Sequence, residues 1–218
     1  PLMLLYAFIA IGVAAYIRGY SGFGFSAFTV TSLALILPPS EVVPTAYMLE
    51  VAASIHMLPL VWRSIDWKIL RWLVLGAVMG TPFGIIFLEE VPQEMMRVAI
   101  SVIVLTASLL LWKNIRIKSS ECWYTILGVG FCSGVINGAA AVGGLPVVLL
   151  FLSISKGSSL TRASMVAYLF IIDLFALLLP GSQQFISTEL LGRTFLFLIP
   201  LMVGILSLIH LSEPTIPY

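Results

Sequence analysis

Charge is what this chain has least of. Only 10% of its 218 residues are Asp, Glu, Lys or Arg, against about 25% in a typical soluble domain. Too few charges remain to clothe a water-facing surface, so the soluble classes of enzyme and binding module are excluded. Cysteine is nearly as scarce. Cys122 and Cys132 stand on one predicted helix, about 15 Å apart along its axis, too far for a disulfide. Histidine is limited to His56 and His210, so no metal-ligand spacing arises and no metal is expected. A net charge of +1 without a basic arm or aromatic-basic interleaving gives no reason to expect nucleic acid. No GxxxxGK[ST] run occurs, so nucleotide does not drive this protein, and no cofactor is expected.

Apolar residues are what the chain has in excess: 60% of the total, with a mean hydropathy of +1.10. At about 20 residues per span, most of the chain belongs in a lipid bilayer. The expected fold class is all-α, a polytopic membrane protein. Apolar blocks fall at 2–18, 22–37, 42–62, 68–88, 93–112, 122–137, 142–155, 161–180 and 189–209. Short connections punctuate them: Pro38-Pro39-Ser40, Arg63 to Asp66, Glu89 to Pro92, and Lys113 to Glu121. The start, Pro1-Leu-Met-Leu-Leu, has no basic n-region and no small-residue cleavage site, and reads as a true span.

Two glycine-broken segments stand out, Arg18-Gly-Tyr-Ser-Gly-Phe-Gly-Phe25 and Asn137-Gly-Ala-Ala-Ala-Val-Gly-Gly-Leu-Pro146. Lipid forbids unwound backbone unless protein surrounds it. A matched pair of interrupted helices is the usual pointer to a transporter's substrate site.

Loop charge sets the expected orientation. The 63–71 loop carries Arg63, Lys68 and Arg71. The 89–97 loop carries Glu89, Glu90 and Glu94, and the 113–121 loop carries Lys113, Arg116 and Lys118. Basic, acidic, basic is the alternation that places the basic loops in the cytoplasm, together with Lys156 and Arg162. The first hairpin of blocks then enters from outside and the second from inside. Two inverted repeats follow, at 1–112 and 122–209. The hairpin blocks, at about 13–17 residues, are short for a full crossing, so their glycine tips should meet near the midplane. The second repeat has one long block fewer. The ending, 210–218, reads as a short polar tail where a last helix is expected, so the chain reads as C-terminally incomplete.

Few residues can carry chemistry. Arg18 precedes the first break. It is either an anion-binding group or a cation snorkelling from a helix end beside Tyr16 and Tyr20. Glu50 and Asp173 stand near the middle of the first long block of each half, where an unpartnered charge is costly. They are proton or charge-coupling groups, or structural clamps. Gly19, Gly22, Gly24, Gly138, Gly143 and Gly144 allow unwound backbone whose amides meet an anion, or else close helix packing. Gly76, Gly80 and Gly84 recur every four residues and read as packing alone. Asn137 takes the place in the second half that Arg18 holds in the first. Ser21, Thr45, Tyr47, Tyr168 and His56 are weaker candidates, and His56 reads first as an interhelical histidine.

These residues resemble a known family. Arg18 to Phe25, Pro38-Pro39, Tyr47-Met-Leu-Glu50-Val-Ala-Ala-Ser54, Gly134 to Pro146, Thr161-Arg-Ala-Ser164 and Tyr168 to Asp173 are similar to the sulfite exporter TauE/SafE family. The resemblance implies a bacterial inner-membrane permease of duplicated origin that moves sulfite, organosulfonates or small carboxylates. It maps the glycine motifs onto Gly19, Gly22, Gly24, Gly138, Gly143, Gly144 and Pro146, and the polar positions onto Arg18, Glu50, Asn137 and Asp173. The family's closing hydrophobic helix has no counterpart here.

The sequence therefore points to a secondary transporter for a small anion. Arg18, Asn137, Ser21 and the tip amides bind the substrate. Glu50 and Asp173 carry the coupling, Glu50 foremost, since Arg18 could exchange between that carboxylate and the anion. An anion channel built on the same site is the alternative. An intramembrane enzyme lacks a nucleophile–base pair. Substrate identity, direction of transport, coupling ion and oligomeric state are not legible.

Overall fold

The computed structural model describes residues 2–113, 122–154, 157–180 and 186–211, with the side chains at 2, 20 and 206–211 excepted. Every element among them is a helix. In order they are α1 (Leu2–Ser21), α2 (Phe25–Leu33), α3 (Pro39–Val61) with a 3-10 turn at Trp62–Ser64, α4 (Trp67–Glu90), α5 (Gln93–Trp112), α6 (Trp123–Ala140), α7 (Gly144–Ile154), α8 (Ser158–Leu178) and α9 (Thr188–Leu211). Among these, α4, α5, α8 and the 188–205 stretch of α9 are long and apolar enough to cross a membrane. Arg116, Lys118, Glu121, Lys156 and most of the polar tail lie outside the described residues.

The boundaries follow local chemistry. Pro39 opens α3, where its missing amide costs nothing. Asp66 caps α4, its Oδ1 accepting from the amides of Lys68 (3.1 Å) and Ile69 (3.3 Å). The expected breaks fall at 22–24 and 141–143. Gly22 and Gly24 take left-handed φ values of 81° and 89°, and Ala141, at φ 55°, ends α6.

The two hairpins are less symmetric in length than the apolar blocks suggest. α1 has 20 residues and α6 has 18, against 9 in α2 and 11 in α7. The helix runs straight through Arg18 and Gly19, because a single glycine lowers helix propensity without ending a helix. Each hairpin thus has one long arm and one short arm. Tyr6 near the start of α1 reaches the Ser32 carbonyl near the end of α2 (3.4 Å), so the arms run antiparallel.

The tightest interface joins α4 to α6. Gly76, Gly80 and Gly84 press against the α6 backbone at Leu127, Phe131 and Val135. Gly130, Gly134 and Gly138 press against α4 at Leu73, Ala77 and Thr81. Six missing side chains let the two backbones touch, which suits a medium where packing rather than hydrophobicity drives helix association. Elsewhere α1 packs on α9, with Gly204 against Ala15 and Gly12, and α3 packs on α8.

One end of the molecule is marked by aromatics. Trp62 stacks edge-on against Trp67 (5.1 Å), Trp72 tilts against Trp123 (5.5 Å), and the Arg71 guanidinium lies 5.6 Å from the Trp72 ring centre. The Asp66 amide in this end's 3-10 connection donates to Ser164 Oγ (3.0 Å), which brings the start of α8 to the same end.

Candidate functional site

Arg18 is fully buried, which removes the snorkelling alternative. It forms an ion pair through Nη1 with Glu50 Oε1, and its Nη2 donates to Ser54 Oγ (2.6 Å). The other Glu50 oxygen accepts from Ser26 Oγ (2.9 Å). Three helices supply this knot. Arg18 comes from the last turn of α1 and Ser26 from the first turn of α2. Glu50 and Ser54 lie four residues apart on one face of α3.

A second knot sits on the other hairpin. Asn137 Nδ2 donates to Asp173 Oδ1 (2.7 Å), while Asn137 Oδ1 accepts from the Gly143 amide (3.1 Å). Ser133 Oγ donates to the Gly143 carbonyl and pairs with the Tyr168 hydroxyl (2.6 Å). From α3, the Tyr47 hydroxyl donates toward the carbonyls of Asn137 (2.5 Å) and Gly138 (3.0 Å). The Asn137 carbonyl also accepts from the Ala141 amide that closes α6 (2.7 Å), while the Gly138 carbonyl is among the last ones that a helix end leaves without intrahelical partners. Asn137, Ser133, Asp173, Tyr47 and Tyr168 are all buried. Asp173 lies within electrostatic reach of both Glu50 and Arg18. α3 joins the knots, since Tyr47, Glu50 and Ser54 share its inner face.

The breaks between the hairpin arms meet at a crevice. Phe23, Gly24, Ser26 and Ala27 line it from the first break, Val142, Gly144 and Leu145 from the second, and Leu169 from α8. Its volume is about 10 Å³, the room of one water molecule. The N-termini of α2 and α7 open onto it, and Gly24 caps α2 with no side chain. Such helix ends present free amides and partial positive charge.

The other expected residues are placed as follows. Ser21 turns inward on its own segment, bonding the carbonyls of Ile17 (2.8 Å) and Phe23 (2.6 Å). The Gly19 carbonyl accepts from Arg162 Nη2 (2.7 Å), and the Arg162 side chain lies against Gly22. Gly144 starts α7 against Leu169 and Met165. Gly138 is inside α6, in the contact with α4. Thr45 bonds the Glu41 carbonyl one turn back (2.8 Å), and His56 is half-buried on α3. No cluster of three or more His, Cys, Asp or Glu that could hold a metal occurs among the described residues.

The family model for the sulfite exporter TauE/SafE matches residues 7–212. The chain belongs to that family. No curated protein and no solved structure gives a significant match. As a TauE/SafE member with several membrane-length apolar helices, it is an integral membrane protein of a transporter family.

Within this TauE/SafE chain, five buried polar side chains of the knots carry little or no signal in the sequence. Ser26, Ser54 and Ser133 raise no expectation there, and Tyr47 and Tyr168 are weaker candidates. A signal did exist for two of them. Ser54 follows Glu50, and Ser133 precedes Asn137, by one helical turn, the spacing at which a polar partner shares a face.

Proposed function

We propose that this protein is a secondary transporter that carries a small oxyanion such as sulfite, an organosulfonate or a small carboxylate across a bacterial inner membrane. The observation that carries this reading is the double role of Ser26. It lines the crevice between the breaks, and its hydroxyl holds the Glu50 carboxylate that Arg18 grips. An anion entering the crevice would meet the amide ends of α2 and α7. It would also stand one hydroxyl away from a buried guanidinium. The substrate then competes with Glu50 for Arg18, and Gly22, Gly24, Gly143 and Gly144 let the backbone approach it.

A crevice with room for one water is too narrow for an oxyanion, so the tips must part to admit one, which favours alternating access over an open channel. The two halves, 1–112 and 122–209, are read as inverted repeats. The pairing recurs in each: a polar residue just before the break meets a carboxylate on the following long helix, Arg18 with Glu50 and Asn137 with Asp173, across sequence separations of 32 and 36 residues. The end bearing Trp62, Trp67, Trp72, Arg63, Lys68 and Arg71 is read as cytoplasmic.

The test is flux of sulfite, taurine-like sulfonates and small carboxylates in proteoliposomes. We expect saturable transport of one of these classes, with uphill movement when an ion gradient is imposed. Flux that only runs downhill at channel-like rates would replace the transporter with the anion channel.

A further inference from the structure

The two buried carboxylates are not equivalent, and the inequality singles out one of them. Both Glu50 oxygens are occupied, Oε1 by Arg18 and Oε2 by Ser26. Glu50 is therefore neutralised and hydrogen-bonded as an anion. Asp173 receives one neutral hydrogen bond, from Asn137 to Oδ1. Its Oδ2 is buried with no hydrogen-bond partner among the described residues.

The charge count agrees. Among the described residues the fully buried charged side chains are Arg18, Glu50 and Asp173, one cation for two carboxyls. A bare anionic oxygen in such surroundings is costly, because a buried ion has given up its hydration. One monovalent cation makes the set neutral.

We propose that Asp173, and not Glu50, is the group that takes up and releases the coupling proton of this transporter. This rests on the transport reading above and adds to it the site and the ion. The step is simple: a proton from the aqueous side bonds to Asp173 Oδ2, and on release the same bond breaks and the proton returns to water.

The surroundings of Asp173 favour a proton over a metal ion. Among the described residues no group of three or more His, Cys, Asp or Glu that could hold a metal forms around it. The groups that face it are Glu50 and Tyr47 from α3, Arg18 from α1, and Tyr168 and Asn137 beside them. α6 and α7 contain no charged residue, and the charged residues of α4 (Lys68, Arg71, Glu89 and Glu90) are exposed at its two ends. Arg162, on α8 itself, is spent on Gly19 about 16 Å away along the helix.

The position also supplies the coupling. The Asn137 amide bridges Asp173 and the Gly143 amide, so one side chain joins the proton site to the second break. A proton on Asp173 weakens it as an acceptor for Asn137 Nδ2, because a hydrogen bond to a charged acceptor is about twice as strong as a neutral one. Asn137 is then freer to release Gly143 and let the tip move. Glu50 has no such link to a break backbone; its partners are the Arg18 and Ser26 side chains.

Infrared difference spectra of the purified protein in lipid, between acid and alkaline pH, read the proton directly through the carboxylic-acid C=O band. We expect a buried-acid band in the wild type, its loss in Asp173→Asn, and its return at a shifted frequency in Asp173→Glu. Melting temperatures confirm that each variant is folded. A band that survives in Asp173→Asn, or no band in the wild type, overturns the proposal. In proteoliposomes, sulfite addition should move protons, read by a trapped pH dye, in wild type and not in Asp173→Asn. Transport that needs sodium and moves no proton also overturns it. A wild-type band assigned to Asp173 in a protein that moves none of the anions would leave the proton site standing and remove the transport reading instead.

Discussion

At the scale of the residue, Arg18 is a structural group before it is a functional one. Its guanidinium holds Glu50 and Ser54 across two helices with no exposure to solvent. Removing one partner of a buried ion pair strands the other, at a cost of about 3–5 kcal/mol. Arg18→Ala should therefore lower the melting temperature of the purified protein sharply, and Arg18→Ala combined with Glu50→Ala should recover much of the loss. A double variant as unstable as the single one would show that the pair does not act as a unit. Arg18→Lys is not conservative here, because a point-like ammonium cannot reproduce the fork that spans Glu50 and Ser54. The sequence put Glu50 near the middle of an apolar block and left Arg18 open between the interior and a snorkelling helix end, a choice that its burial decides. It could not show that Ser26 and Ser54 complete the knot, because a hydroxyl's partner depends on how each helix is rotated.

At the scale of the element, the pair α4 and α6 holds the second hairpin in place. The spacing of Gly76, Gly80 and Gly84 announced a packing face, and the structure supplies the matching face, Gly130, Gly134 and Gly138. Gly138 lies beside the break and belongs by position to both stories, yet it is the α4 backbone that leaves it no room for a side chain. Gly134→Ala should destabilise the protein by about 1–3 kcal/mol, the cost of overpacking a tight contact. Gly128, on the same helix, faces open space. Gly128→Ala should be neutral or stabilising by up to about 1 kcal/mol through helix propensity. Thermal unfolding of the two variants in one detergent compares them, and equal shifts would mean that the glycine contact carries no packing energy.

At the scale of the whole molecule, the breaks of the two hairpins come together and are held from outside themselves. Arg162 of α8 grips Gly19 at the end of α1, Tyr47 of α3 grips the end of α6, and α3 and α8 pack on each other. Each break is thus steadied by a helix from outside its own hairpin. Parting the tips must disturb these ties, which is how events at Asp173 or Arg18 would reach the crevice. Phe23 lines the crevice from the first break and Val142 from the second. With Cys122 and Cys132, both free thiols, changed to serine, a disulfide between Phe23→Cys and Val142→Cys should stop anion flux, and a reductant should restore it. Undiminished flux in the crosslinked protein would show that the tips do not separate during transport.

Where the chain is apolar, where it breaks and where its few charges stand all follow from the order of its residues. Those properties are local: a run of apolar residues enters lipid, and the glycines clustered at 22–24 and 143–144 make a helix break cheap there. Helix lengths were legible less well, since Gly19 did not stop α1 and the first arm grew to 20 residues. Which carboxylate met which partner was decided only in the tertiary structure. Glu50 and Asp173 look alike in the sequence, each central on the first long helix of its half. Packing gave Glu50 an arginine and a serine, and gave Asp173 an asparagine and a bare oxygen. The difference arises because a buried charge is governed by the few atoms within hydrogen-bonding reach, and in this protein those atoms come from helices far apart along the chain.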